Sequence, residues 1–160
     1  MRHTISVLVQ NKPGVLSRVT GLFSGRGFNI ESLCVAETIE PKVSSLTLVT
    51  RGNDMIVEQI TKQLHKLIDT IKVTDVTETE HVEREMALIR VKAEANTRAE
   101  VLRIVDIFRG KVVDVSPKSY AVEVTGTAEK IKAVIDILKP IGIQEIVRTG
   151  TIAMTRAPKQ

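Results

Sequence analysis

The sequence has no tryptophan, one tyrosine, three phenylalanines and a single cysteine, Cys34. One cysteine can neither close an intramolecular disulfide nor supply a cysteine metal cluster, and its surroundings, Leu33-Cys34-Val35-Ala36, suit a small buried residue. With so few rings the cores must be built from Val, Ile and Leu, a β-branched stock that leans towards strands. No apolar run approaches the roughly 20 residues needed to cross a bilayer. Met1-Arg2-His3-Thr4 leads straight into a strand-like segment, so no signal peptide is expected and the chain reads as cytoplasmic. His3 near the terminus, His65 within a helical stretch and His81 in a charged stretch form no pair with metal-ligand spacing. No nucleophile has a base and a third partner in view, and no P-loop lysine motif occurs. Gly25-Arg26-Gly27 closes a helix, whereas a dinucleotide fingerprint places its glycines at a helix start. No catalytic residue, metal site or cofactor site is therefore expected in this chain.

What the chain does have is ordinary globular material: 160 residues, 42% hydrophobic and 26% charged, enough for one domain or two small ones. The formal net charge of +4 is spread along the chain with no basic block, which gives no lead towards nucleic acid.

Ile5, Val7 and Val9 alternate as in a strand, which Asn11-Lys12-Pro13-Gly14 stops. From there Val15, Leu16, Val19, Leu22 and Phe23 follow helical spacing up to Gly25 and Gly27. Residues 28–38 and 43–50 read as strands around the turn Glu40-Pro41-Lys42. A helix opens at Asn53 or Asp54 and carries Val57, Ile60, Leu64 and Leu67, and 71–77 supply a fourth strand. The order is β-α-β-β-α-β, the ferredoxin-like arrangement. Residues 79–85 are charged and read as a linker. The order then recurs: strand 86–95, helix 97–109, strands 111–116 and 119–125, a helix capped by Thr127, and a final extended segment over 143–154. The expectation is an α+β chain of two ferredoxin-like βαββαβ domains in tandem, 1–78 and 86–160. Residues 16–26 also lie over 101–111 without a gap, matching the main apolar positions, the Phe and the Gly, as an internal duplication would.

One segment could hold a ligand. Asn11-Lys12-Pro13-Gly14-Val15-Leu16 joins a strand to a helix start, where free backbone N–H groups and partial positive charge suit a carboxylate. Gly14 lets a ligand approach the backbone, and Asn11 can bond an amino group or a carboxylate. Taken alone, these residues favour a simpler reading, in which Pro13-Gly14 is a tight turn and Asn11 a local cap. Asn29 alone likewise reads as a loop residue. The second half offers Asn96-Thr97-Arg98-Ala99, without Pro-Gly, which makes a similar ligand less expected there.

These residues have a resemblance. Asn11-x-Pro-Gly-Val-Leu, then Phe23, then Arg26-Gly27-Phe28-Asn29-Ile30-Glu31-Ser32 resemble an ACT domain, a module that binds amino acids allosterically. The longer runs 14–24 and 27–33, Gln63-Leu64-His65-Lys66-Leu67 and His81-Val82-Glu83-Arg84-Glu85 resemble the acetolactate synthase (acetohydroxyacid synthase) small subunits, and the similarity extends over the chain. The resemblance implies a non-catalytic regulatory subunit that pairs through its ACT domains into a homodimer and binds valine at the interface. Asn11, Gly14, Val15 and Leu16 of one copy would act with Asn29 and Ile30 of the other. It implies a large catalytic subunit as partner, which uses thiamine diphosphate, Mg²⁺ and FAD to condense pyruvate into acetolactate on the route to branched-chain amino acids. It implies activation of that partner and feedback inhibition, with no nucleic acid and no membrane involved. Valine exceeds alanine by two carbons, worth about 1.6 kcal/mol or about fifteenfold, whereas leucine exceeds valine by only one. Two rivals remain: a stand-alone amino-acid sensor, and an RNA-binding ferredoxin-like protein, for which Phe28 and Tyr120 are the only plausible strand aromatics.

Overall fold

Ile5, Val7 and Val9 sit at alternate positions of β1 (Arg2–Gln10) and are all buried, as one face of a half-covered strand requires. The computed structural model describes residues 1–159. In it β1 pairs antiparallel with β3 (Val43–Arg51) on one side and β4 (Thr70–Asp75) on the other. β2 (Ile30–Glu37) joins the far side of β3, giving the order β2-β3-β1-β4 with β2 and β4 as edges. Two helices, α1 (Val15–Gly25) and α2 (Asp54–Lys66), supply Val15, Val19, Phe23, Val57, Ile60 and Leu64 to a core shared with Leu46 and Leu48.

Local chemistry sets the helix ends. Asn53 caps α2, its side-chain oxygen accepting the Ile56 N–H at 2.9 Å. α1 stops in a Schellman turn: Gly27 takes the left-handed conformation (φ 68°), its N–H reaches Ser24 O, and Phe28 N–H reaches Phe23 O at 3.0 Å. The Phe23 and Phe28 rings meet edge to face with centroids 6.3 Å apart, the apolar contact that accompanies such a turn.

The order recurs in β5 (His81–Lys92), α3 (Arg98–Ile107), β6 (Lys111–Val115), β7 (Ser119–Gly126), α4 (Ala128–Leu138) and β8 (Ile143–Arg148). The second sheet runs β6-β7-β5-β8 over a core of Ile89, Val91, Val101, Val122, Ile131 and Leu138. The chain is thus α+β, with two ferredoxin-like βαββαβ units in tandem.

The divisions differ from those expected from composition. The compact units are 1–82 together with the chain from Thr151, and 83–150. The stretch 79–85, read as a linker because of its charge, is strand from His81 onward. Its charges are used within the fold: Glu85 is 4% exposed because its carboxylate takes the Arg148 guanidinium. The extended segment 143–154 breaks at Thr149-Gly150, where Gly150 has φ 83°. Beyond it β9 (Ile152–Thr155) pairs with β5 and returns to the first unit, where Thr151 N–H donates to Ser32 Oγ at 3.1 Å. Gln160 lies outside the described residues.

The duplicated segment is not used identically. Gly25 is the last residue of α1, but its counterpart Gly110 lies beyond a helix that already ended at Ile107. There the left-handed position falls on Arg109 (φ 55°), and Gly110 N–H closes on Val105 O at 2.8 Å. Gly110 is needed for space, since a Cβ would stand 3.0 Å from Glu123 O and 3.2 Å from a Val124 methyl.

Candidate functional site

The segment after β1 is shaped by its hydrogen bonds. Asn11 N–H donates to Lys42 O at 2.8 Å, which holds the end of β1 against the start of β3, and Gln10 N–H donates to Asp69 O at 2.9 Å. Pro13 has no N–H, and Gly14 turns the chain into α1 with φ 83°, a left-handed conformation that glycine adopts without penalty. No side chain caps this helix and its first turn holds no acidic residue. The Val15 N–H makes only a long, 3.4 Å bond to Lys12 O. The other three helices each carry Asp54, Glu100 or Glu129 in the first turn. The partial positive charge of the α1 start is therefore uncompensated by its own first turn.

The six residues singled out in the sequence are placed as follows. Asn11 is exposed, and its side-chain amide donates to Glu37 Oε1 at 2.9 Å and to Pro41 O at 3.5 Å. Gly14 is exposed, and Val15 turns its side chain into the core while its N–H stays at the helix start. Leu16 is 47% exposed beside them. Asn29 is exposed with its carbonyl accepting the Thr50 hydroxyl at 2.7 Å, and Ile30 is half-buried at the first position of β2.

Asn11, Gly14, Val15 and Leu16 thus lie together, and Asn29 and Ile30 lie together, but one chain does not unite the two groups. Gln10 pairs with Val43 at one end of β3 and Ile30 pairs with Thr50 at the other. Those β3 positions are seven residues apart, about 24 Å at roughly 3.4 Å per residue.

Two further residues belong to the helix start and were not found from the sequence. Arg18, one turn beyond Gly14, directs Nε and Nη2 to Asp69 Oδ2 at 2.9 and 2.5 Å. Its Nη1 lies 3.1 Å from where a Cβ at position 14 would stand. Asp69 is 51 residues away in sequence, so no local pattern announces the pair, although the spacing of Arg18 from Gly14 could have. Arg18 brings a cation beside the free N–H groups. At the start of α3, Arg98 directs its guanidinium to Ala93 O and Pro117 O, and the aligned counterpart of Arg18 is the exposed Arg103.

Among the described residues no group of three His, Cys, Asp or Glu is placed to hold a metal ion. No helix is long and apolar enough to cross a membrane.

Two family models cover most of the chain. Residues 5–72 match the acetohydroxyacid synthase small subunit-like ACT domain, and residues 84–157 match the small subunit of acetolactate synthase. The probable acetolactate synthase small subunit of Archaeoglobus fulgidus is 53% identical over 160 residues, covering all of both chains. The chain belongs to the acetolactate synthase small-subunit family. The Aquifex aeolicus acetolactate synthase small subunit is 54% identical over 97% of this chain and 81% of its own length. A crystal structure of the acetolactate synthase small subunit from Thermotoga maritima superposes with a TM-score of 0.90 at 43% identity, covering 99% of both chains. The first unit is accordingly an ACT domain, and the family assignment makes the chain the small regulatory subunit of a two-subunit synthase with a catalytic partner. The stand-alone sensor reading does not survive it.

Proposed function

We propose that this regulatory subunit binds valine between the ACT domains of two copies, activates the large catalytic subunit and confers feedback inhibition on it. The observation that carries the reading is the separation within one sheet of the two groups of candidate residues. β2 is an edge strand of eight residues whose outer hydrogen-bonding edge has no strand beside it among the described residues. An isologous pairing of two such edges runs antiparallel, so the start of one β2 lies against the end of the other. The end of β2 is Glu37, the residue that Asn11 bonds. Asn29 and Ile30 of a second copy would then stand beside Asn11 and Gly14 of the first, and each dimer would hold two equivalent sites.

Within such a site the chemistry suits an α-amino acid. The N–H groups at the α1 start, with Arg18 behind them, take the carboxylate. Asn29 of the second copy accepts from the ammonium, and Leu16 and Ile30 offer apolar surface to the side chain. Val15 contributes its backbone, because its side chain is used in the core. The catalytic chemistry belongs to the large subunit: thiamine diphosphate, Mg²⁺ and FAD act there on pyruvate, and this chain contributes no cofactor ligand. Coupling between the two proteins should be of ordinary allosteric size, about 1–3 kcal/mol, and reciprocal for binding.

Calorimetric titration of the chain with valine, alanine and leucine tests the assignment, together with the catalytic subunit where the chain alone is silent. Saturation near one valine per chain is expected, with alanine weaker by about fifteenfold for its two missing carbons. Absence of valine binding both alone and in the assembled enzyme would overturn the assignment.

A further inference from the structure

We propose that Glu37 receives the ammonium of the effector and makes the site selective for a zwitterionic amino acid over a plain carboxylic acid of the same skeleton. The inference rests on the effector site proposed above and adds to it a residue outside the six singled out in the sequence. Glu37 is the last residue of β2 and is exposed. Its Oε1 accepts the Asn11 side-chain N–H at 2.9 Å, which sets the carboxylate beside the strand end that leads into α1. No cation engages it among the described residues. Asn11 Nδ2 also reaches Pro41 O at 3.5 Å, and both of these partners can only accept. The amide is thereby oriented, and the group Asn11 has left to offer is its carbonyl oxygen. Two acceptors, one of them charged, converge at this end of the sheet, and an ammonium satisfies both.

The sheet register puts Glu37 on the correct face. Val9 of β1 and Glu37 of β2 both lie opposite Ser44, and Val9 turns into the core beneath the helices. Glu37 therefore shares the helix-covered face, the side on which α1 begins. Ile30, opposite Thr50, lies on that face too. In an antiparallel pairing of two β2 edges with full overlap, Glu37 of one copy stands across from Ile30 of the other, with Cβ atoms roughly 5 Å apart. Val35 is 40% exposed and Ala36 beside it is exposed, so apolar surface collects at the same strand end, as such a junction requires. The site then has a charge at each end: Arg18 with the α1 N–H groups on one side and Glu37 on the other. A zwitterion satisfies both. A carboxylate without an ammonium satisfies the first and is repelled by the second.

The test is calorimetric titration of the full chain, with the catalytic subunit added where the chain alone is silent. The ligands are L-valine and 3-methylbutanoate, which is the same skeleton without the ammonium. The parent should prefer valine by at least about tenfold, the worth of one charge-assisted hydrogen bond. Glu37→Gln keeps an acceptor for Asn11 and removes only the charge. It should weaken valine by about tenfold and leave 3-methylbutanoate within about twofold of the parent. Equal weakening of both ligands would reduce Glu37 to a support for Asn11 and overturn the proposal, as would unchanged valine binding in the variant. Either result leaves the effector reading standing, because the parent still binds valine. A parent that binds valine neither alone nor in the assembled enzyme overturns that reading and this proposal with it.

Discussion

Replacing Gly14 with aspartate should abolish the response to valine while the chain still assembles with the catalytic subunit and stimulates it. Gly14 has φ 83°, so any L side chain there costs about 1–2 kcal/mol of backbone strain. The fold can carry that cost, because an aspartate carboxylate would be satisfied by the same N–H groups and by Arg18, whose Nη1 is 3.1 Å from the new Cβ position. The satisfaction is what removes the effector. The ligand carboxylate would meet a like charge in its own place and lose its charge-assisted hydrogen bonds, each worth about 1.5–3 kcal/mol. Two such bonds correspond to a loss of roughly a hundredfold or more in affinity. Gly14→Ala separates the causes, since it adds the strain without the charge and should keep a weakened response. Valine inhibition of the reconstituted Gly14→Asp enzyme within about threefold of the parent would contradict the placement of the carboxylate.

Phe23→Ala should be the most damaging single truncation in the ACT unit. Phe23 is 1% exposed, reaches the shared core from α1 and meets Phe28 edge to face. Removing a buried ring costs about 3–5 kcal/mol through lost transfer energy and the cavity left behind. That is a large part of the roughly 5–15 kcal/mol that holds a domain folded. The duplicated position is Phe108, but that residue is the C-cap of α3 and packs only partly buried against the second core, so Phe108→Ala should cost about 1–2 kcal/mol. Residue-resolved hydrogen exchange separates the units: amides of Val7 and Val19 report on the first and those of Val122 and Val124 on the second. Equal losses from the two truncations would contradict the inequivalence of the two helix ends.

Legibility in the sequence followed the range of the interaction. The caps Asn53 and Thr127 were readable because each accepts from an N–H three residues on, Ile56 and Lys130. The Pro13-Gly14 entry to α1 and the Gly27 exit were readable for the same local reason. What was misread depends on partners far along the chain. Residues 81–85 looked like a solvated linker because nothing near them shows that Arg148 will neutralise Glu85 inside a strand. The bond from Thr151 to Ser32 was not visible because the two residues are 119 apart in sequence. Aligning Gly25 with Gly110 was right by residue type and hid a difference in use, because helix α3 ends three positions earlier and places Arg109, not glycine, in the left-handed turn.

The candidate site divides in the same way. Asn11, Gly14, Asn29 and Ile30 were singled out through family resemblance, since turn chemistry alone favours a tight turn and a local cap. Arg18 with Asp69, and Glu37 with Asn11, became visible only once the sheet register was known, because those pairs are 51 and 26 residues apart.

Mixing two defective chains tests most directly whether the effector site is shared between copies. Gly14→Asp removes the carboxylate half of a site and Asn29→Lys places a cation where the ligand ammonium would lie. Neither homodimer should bind valine. After subunit exchange at equal amounts, about half of the dimers are mixed, and each mixed dimer holds one intact site and one doubly altered site. Calorimetry should then recover about a quarter of the parental valine sites at near-parental affinity. No recovery, with exchange confirmed by mass spectrometry of the intact dimers, would contradict a site completed by the second copy.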